Sequence, residues 1–139
     1  MCENVILISK GAYVSMSTKI IVTSHGELAK YTVKTLELIL GDLDNVDYLC
    51  LGEEEGLESY KKRLEDKILN DNNYIILADI IGGTPSNAAY ILKQHFKNVE
   101  VIVGFNLPLI ISLLQGVTAS KDDAIESAID CGREMIKVL

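Results

Sequence analysis

The sequence has little of what builds metal centres, disulfide scaffolds or polyanion-binding surfaces. In 139 residues there are three cysteines, Cys2, Cys50 and Cys131, and two histidines, His25 and His95. The cysteine count is odd and no two form a CxxC pair, which is the usage of a reducing compartment. Neither histidine stands in ligand spacing with a cysteine, which argues against zinc. Thirteen Lys and Arg against twenty Asp and Glu leave a net charge of −7. That sign is wrong for a nucleic-acid backbone and disfavours an anionic membrane surface, while leaving room for a basic protein partner. No apolar run reaches the ~18 residues of a membrane span. Residues 5–8 are briefly apolar, but no signal-peptidase pattern follows them. A cytoplasmic protein is expected. Internal repeats, low-complexity stretches and domain linkers are also missing.

What is present is apolar material, 48% of the chain, enough to fill the core of one compact domain. The regular pattern begins at Met16, and residues 1–15 read as an N-terminal extension or an alternative start. Lys19 to Thr23 is a β-branched run, read as a buried strand ending at Ser24-His25-Gly26. Glu27 to Leu40 carries a helical stripe of Leu28, Tyr31, Thr32, Thr35, Leu36 and Ile39, and Gly41 stops it. Val46 to Leu51 reads as a second strand with Cys50 in the core, followed by an acidic loop, Gly52 to Gly56. Leu57 to Leu69 is an amphipathic helix. Tyr74 to Ala78 is a third strand, after which Asp79 precedes Gly82-Gly83-Thr84-Pro85. Thr84 reads as an N-cap with proline at the first helical position, opening a helix to about Phe96. Val99 to Val103 is a fourth strand. Gly104-Phe105-Asn106 leads into an apolar helix through Leu114, and a last helix spans about Lys121 to Cys131. Ile136 to Leu139 is expected to form an antiparallel edge strand.

Strands alternating with helices predict a single doubly wound α/β domain. Its sheet is mostly parallel, in order 2-1-3-4, with helices on both faces. Such sheets bind ligands at the C-terminal strand ends, where the order reverses. Strands one and three are neighbours there, so His25 and Asp79 are expected to face each other. A carboxylate on one imidazole nitrogen fixes the tautomer, leaves the other nitrogen as nucleophile and stabilises the cation that develops. Phosphoryl transfer needs little more than such positioning and stabilisation of the equatorial oxygens. The N–H groups opening the helix after His25 favour an anion. Gly82 and Gly83 permit close backbone approach, and the Thr84 hydroxyl offers a further donor. Ser24, Gly26, Gly82, Gly83 and Thr84 are the candidate phosphate-binding residues. His95, among basic and polar neighbours at a helix C-terminus, reads as a solvated residue. No calcium-loop spacing occurs in Glu53 to Glu55.

Three segments, IIVTSHGELA at 20–29, ADIIGGTPSNAA at 78–89 and GFNLPLI at 104–110, stand in order at plausible spacing. Through them the chain resembles the IIA component of the mannose class of the bacterial sugar phosphotransferase system, over roughly Lys19 to Leu139. The resemblance implies a IIA-like phosphocarrier domain over residues 16–139. It makes His25 the phosphorylated residue and Asp79 its hydrogen-bonded partner. Thr84 then stands in place of a serine as phosphate contact, and Asn106 and Pro108 shape the site wall. It implies HPr as phosphoryl donor, a IIB component as acceptor, and contact with the membrane only through the transporter complex. It also implies a homodimer that exchanges a C-terminal strand, with no cofactor. Two other readings share the strand-one histidine: a phosphoryl donor subunit for a dihydroxyacetone-kinase system, and a regulatory module signalled by His25 phosphorylation. A flavodoxin-type small-molecule binder would need a phosphate loop richer in Ser and Thr than Ser24-His25-Gly26.

Overall fold

The computed structural model describes residues 18–69, 72–116 and 120–139. Residues 1–15, expected as an extension or alternative start, lie outside them. The described chain divides into two compact units, one ending at Gly104 and one running from Phe105 to Leu139.

The first unit contains β1 (Thr18–His25), α1 (Leu28–Leu40), β2 (Val46–Leu51), α2 (Leu57–Glu65), β3 (Asn73–Ala78), α3 (Thr84–His95) and β4 (Val99–Val103). Its four strands form one parallel sheet in the order β2-β1-β3-β4. The central strands β1 and β3 are almost continuously buried, while the edge strands β2 and β4 are buried only in part. That is the pattern of a sheet covered on both faces. Cys50, expected in the core, is only half-buried because β2 is an edge strand.

On one face, Ile21, Leu49, Leu51, Tyr74, Ile76 and Val99 pack with Tyr60 and Leu64 of α2 and with Ala88, Ala89 and Leu92 of α3. α1 packs on β1 and β2 through Ala29, Thr32, Val33 and Leu36. Right-handed crossovers set α1 on the face opposite α2 and α3. α2 ends at Glu65 and not at Leu69. The amides of Lys67 and Ile68 turn back to the carbonyls of Leu64 and Glu65, and Ile68 is still buried in the same core.

Tyr60 ties α2 to the strand ends. It is fully buried, its hydroxyl bonds the Thr23 hydroxyl, and it donates to the Leu49 carbonyl at 3.1 Å. Both buried hydroxyls are thereby satisfied, as buried polar groups require.

The second unit holds α4 (Leu107–Gln115) and α5 (Lys121–Glu134), packed on each other. Asn106 caps α4 by accepting from the Leu109 amide at 3.0 Å, and its side-chain amide donates to the Gly132 carbonyl at 2.8 Å. α5 continues past Cys131 to Glu134. The expected edge strand does not form: Ile136 to Leu139 join no ladder among the described residues, and Ile136, Val138 and Leu139 are exposed. A four-residue segment without a neighbouring strand has no hydrogen-bonding partner to hold it extended. No described helix is long and apolar enough to cross a membrane.

Burial pushes the Tyr60 hydroxyl up to about 12, against an ordinary value near 10. The folded state then holds a proton that the unfolded chain releases, so stability falls as pH rises from about 10 to about 12. A spectrophotometric tyrosine titration is expected to show a late-ionising component that is lost in Tyr60→Phe. That variant should also unfold about 1–2 kcal/mol more easily in urea.

Candidate functional site

The site forms where β1 and β3 end. One row across the sheet aligns Leu49, Thr23, Ala78 and Val103. His25 lies two residues beyond that row and Asp79 one, which brings their side chains together.

Side chains alternate along a strand. Thr23 and His25 therefore share the face that carries α2 and α3, and Ser24 turns to the α1 face. Ser24 is fully buried, and its hydroxyl accepts from the Ala29 amide at 2.7 Å. It serves as a cap for α1, whose N-cap residue Glu27 makes no side-chain bond to the helix backbone. Gly26 follows with φ +51°, and its amide donates to the Leu51 carbonyl at 3.0 Å. This left-handed turn, easy for glycine, takes the chain off the sheet and leaves the His25 side chain 48% exposed.

Asp79 is the hub. Its Oδ2 accepts from both the backbone amide and the ring Nδ1 of His25, each at 2.9 Å, and its Oδ1 accepts from the Ile80 amide at 2.9 Å. The carboxylate is only 13% exposed. Burial pushes its carboxyl up. The bonds from the His25 amide, the His25 ring and the Ile80 amide outweigh that and hold it below the usual carboxylate range. An ionised carboxylate only accepts, so Nδ1 must carry the ring proton, and in the neutral imidazole Nε2 keeps its lone pair.

Beyond Asp79 the chain runs through exposed Ile80 and Ile81 to Gly82, whose φ is +84°. Gly82 and Gly83 are gathered by the next helix. The Asn87 side chain donates to the Gly82 carbonyl at 3.2 Å, and the Ser86 hydroxyl donates to the Gly83 carbonyl at 3.0 Å. The expected cap is displaced by one residue: Gly83 is the N-cap of α3, Thr84 its first helical residue and Pro85 its second. Gly83 also lies against the imidazole. Periodicity and composition give no warning of that contact. Nor do they reveal the backbone amides of His25 and Ile80 as donors to Asp79. His95 sits at the other end of α3, about 18 Å along the helix, with Nδ1 bonded to the Ile91 carbonyl at 2.8 Å. Asn106 and Pro108 belong to the second unit, at the start of α4.

Residues 19–129 match the family described as the PTS system fructose IIA component. The chain belongs to that family. It is a mannose-class IIA component, and its relatives carry several sugar names. It is 32% identical to the mannose-specific EIIAB component of Escherichia coli K12 over 130 residues, covering 89% of this chain and 40% of the relative. The chain thus spans about two-fifths of that protein's length. It is 28% identical to the fructose-specific EIIA component of Bacillus subtilis, covering 68% of this chain and 67% of that one. The structure of a mannose/sorbose-specific IIA subunit from Enterococcus faecalis superposes with a TM-score of 0.82 at 25% identity, covering 89% of this IIA component and 96% of that subunit.

Because Asp79 is held below its ordinary range, its ionised form stabilises the fold at neutral pH. That stabilisation is complete above the unfolded carboxylate value and is lost as pH falls through the lower folded value. Urea denaturation is expected to show Asp79→Asn less stable than the parent at pH 7. The gap should narrow below about pH 4.

Proposed function

We propose that this IIA component carries a phosphoryl group on Nε2 of His25, taken from HPr and passed to a IIB component for coupled sugar uptake. The observation that carries the reading is the 2.9 Å contact from Asp79 to Nδ1 on a ring whose other nitrogen is left to react. In the forward step the Nε2 lone pair forms a bond to phosphorus. The bond from phosphorus to the donor breaks, and its electron pair leaves with the donor. The ring becomes cationic while Nδ1 keeps its proton, and the Asp79 carboxylate stabilises that charge at hydrogen-bond distance. Transfer to IIB is the same displacement in the other direction. Positioning and electrostatic stabilisation are the work left to the protein in such a step.

Gly82, Gly83 and Thr84, opening α3 beside the ring, supply the surroundings of the phosphoryl oxygens. The positive end of a helix favours that anion. Ser24 and Gly26 support the histidine from behind, as cap and turn. The exposed apolar residues Ile136, Val138 and Leu139 are what a strand exchanged in a homodimer would bury.

Incubation with phosphorylated HPr is expected to give an acid-labile, base-stable phosphohistidine. His25→Ala should abolish it, and His95→Ala should change the rate less than about twofold. Asp79→Asn should slow transfer by on the order of 100-fold, the range general acid–base partners supply. Unchanged transfer by His25→Ala would remove the reading.

A further inference from the structure

Three glycines stand in the turns that follow β1 and β3, and they are glycines for two different reasons. Gly26 and Gly82 have φ of +51° and +84°, and a Cβ on either would meet nothing within 4 Å. The backbone requires them. Gly83 has φ −80° and ψ 167°, a conformation open to any residue. It is also the N-cap of α3, where Ser, Thr, Asp or Asn would bond the first turn, and α3 lacks a side-chain cap there. Neither backbone geometry nor helix stability asks for glycine at 83.

The imidazole does. A Cβ at 83 would lie 2.4 Å from Cε1 and 3.0 Å from Nε2 of His25, and 3.5 Å from the Ile80 side chain. The ring cannot retreat freely, because Nδ1 is fixed on Asp79. Cε1 lies between the two nitrogens, and the ring is tethered at Cγ, so a push on Cε1 rotates the side chain about χ1 or χ2 and carries Nδ1 away from Asp79.

We propose that Gly83 is a positioning residue for phosphoryl transfer. Its missing side chain keeps the space in which the His25 ring lies bonded to Asp79 with Nε2 free. The inference rests on the phosphocarrier reading for its consequence, not for its geometry. A residue with a Cβ at 83 drives the ring off Asp79, which frees Nδ1, mixes the tautomers and misplaces the nucleophile. Misplacement by about 1 Å can cost on the order of 100-fold in rate.

The test is Gly83→Ser, which introduces a preferred N-cap, made in the parent and in His25→Ala. With His25 present, phosphoryl uptake from phospho-HPr should fall on the order of 100-fold. The imidazole 15N shifts should lose the pattern of a single Nδ1-protonated tautomer, and Tm should drop. In the His25→Ala background the clash is gone, so Gly83→Ser should leave Tm unchanged or raise it; the difference between backgrounds isolates the coupling. If Gly83→Ser folds only in the His25→Ala background, the inference holds. An equal change of Tm in both backgrounds overturns it, as does failure of the double variant to fold. So do unaltered 15N shifts together with an unaltered uptake rate. The Tm and tautomer readouts need no phosphoryl transfer, so they decide the role of Gly83 even if His25 is not the phosphorylated residue.

Discussion

One carboxylate oxygen organises the candidate site. Asp79 Oδ2 accepts from the main chain and from the ring of the same residue, His25, and so fixes both the end of β1 and the direction of the imidazole. Two charge-assisted bonds to one acceptor are stronger than neutral ones, and they compensate the burial of the carboxylate. The bond is possible only because β1 and β3 are neighbours in register. A sheet that ran in sequence order would insert β2 between the two strand ends.

The residues around this contact divide the remaining tasks by strand alternation. Thr23 faces α2 and joins Tyr60 in a buried hydroxyl pair. Ser24 faces α1 and caps it. His25, back on the first face, meets the start of α3. Three successive side chains thus anchor α2, anchor α1 and present the imidazole. Local packing and the placement of the imidazole are set by the same short segment.

Much of the fold was legible because β1 and β3 are unbroken β-branched and apolar runs that only a sheet buried on both faces accommodates. The meeting of His25 with Asp79 followed from the expected strand order 2-1-3-4, which makes β1 and β3 neighbours. Legibility failed where the outcome depends on single contacts. Thr84 has the composition of a cap, yet the helix begins one residue earlier at Gly83. Ser24 is expected among the phosphate-binding residues, but alternation turns its hydroxyl inward to the Ala29 amide. The α2 helix stops early because Lys67 and Ile68 bond back across a tight turn while Ile68 still reaches the core. Ile136 to Leu139 have strand composition but pair with no strand among the described residues. Backbone amides, which supply two of the three bonds to Asp79, have no sequence signature at all.

In the proposed relay, Asp79 reserves Nδ1 and thereby directs phosphorus to Nε2 of His25. Correlated 31P–15N NMR on the phosphorylated, 15N-histidine-labelled protein tests it most directly. The expected result is a single phosphorus coupled to Nε2 of His25, with Nδ1 still protonated. Phosphorus on Nδ1 of His25, or on His95, would contradict it.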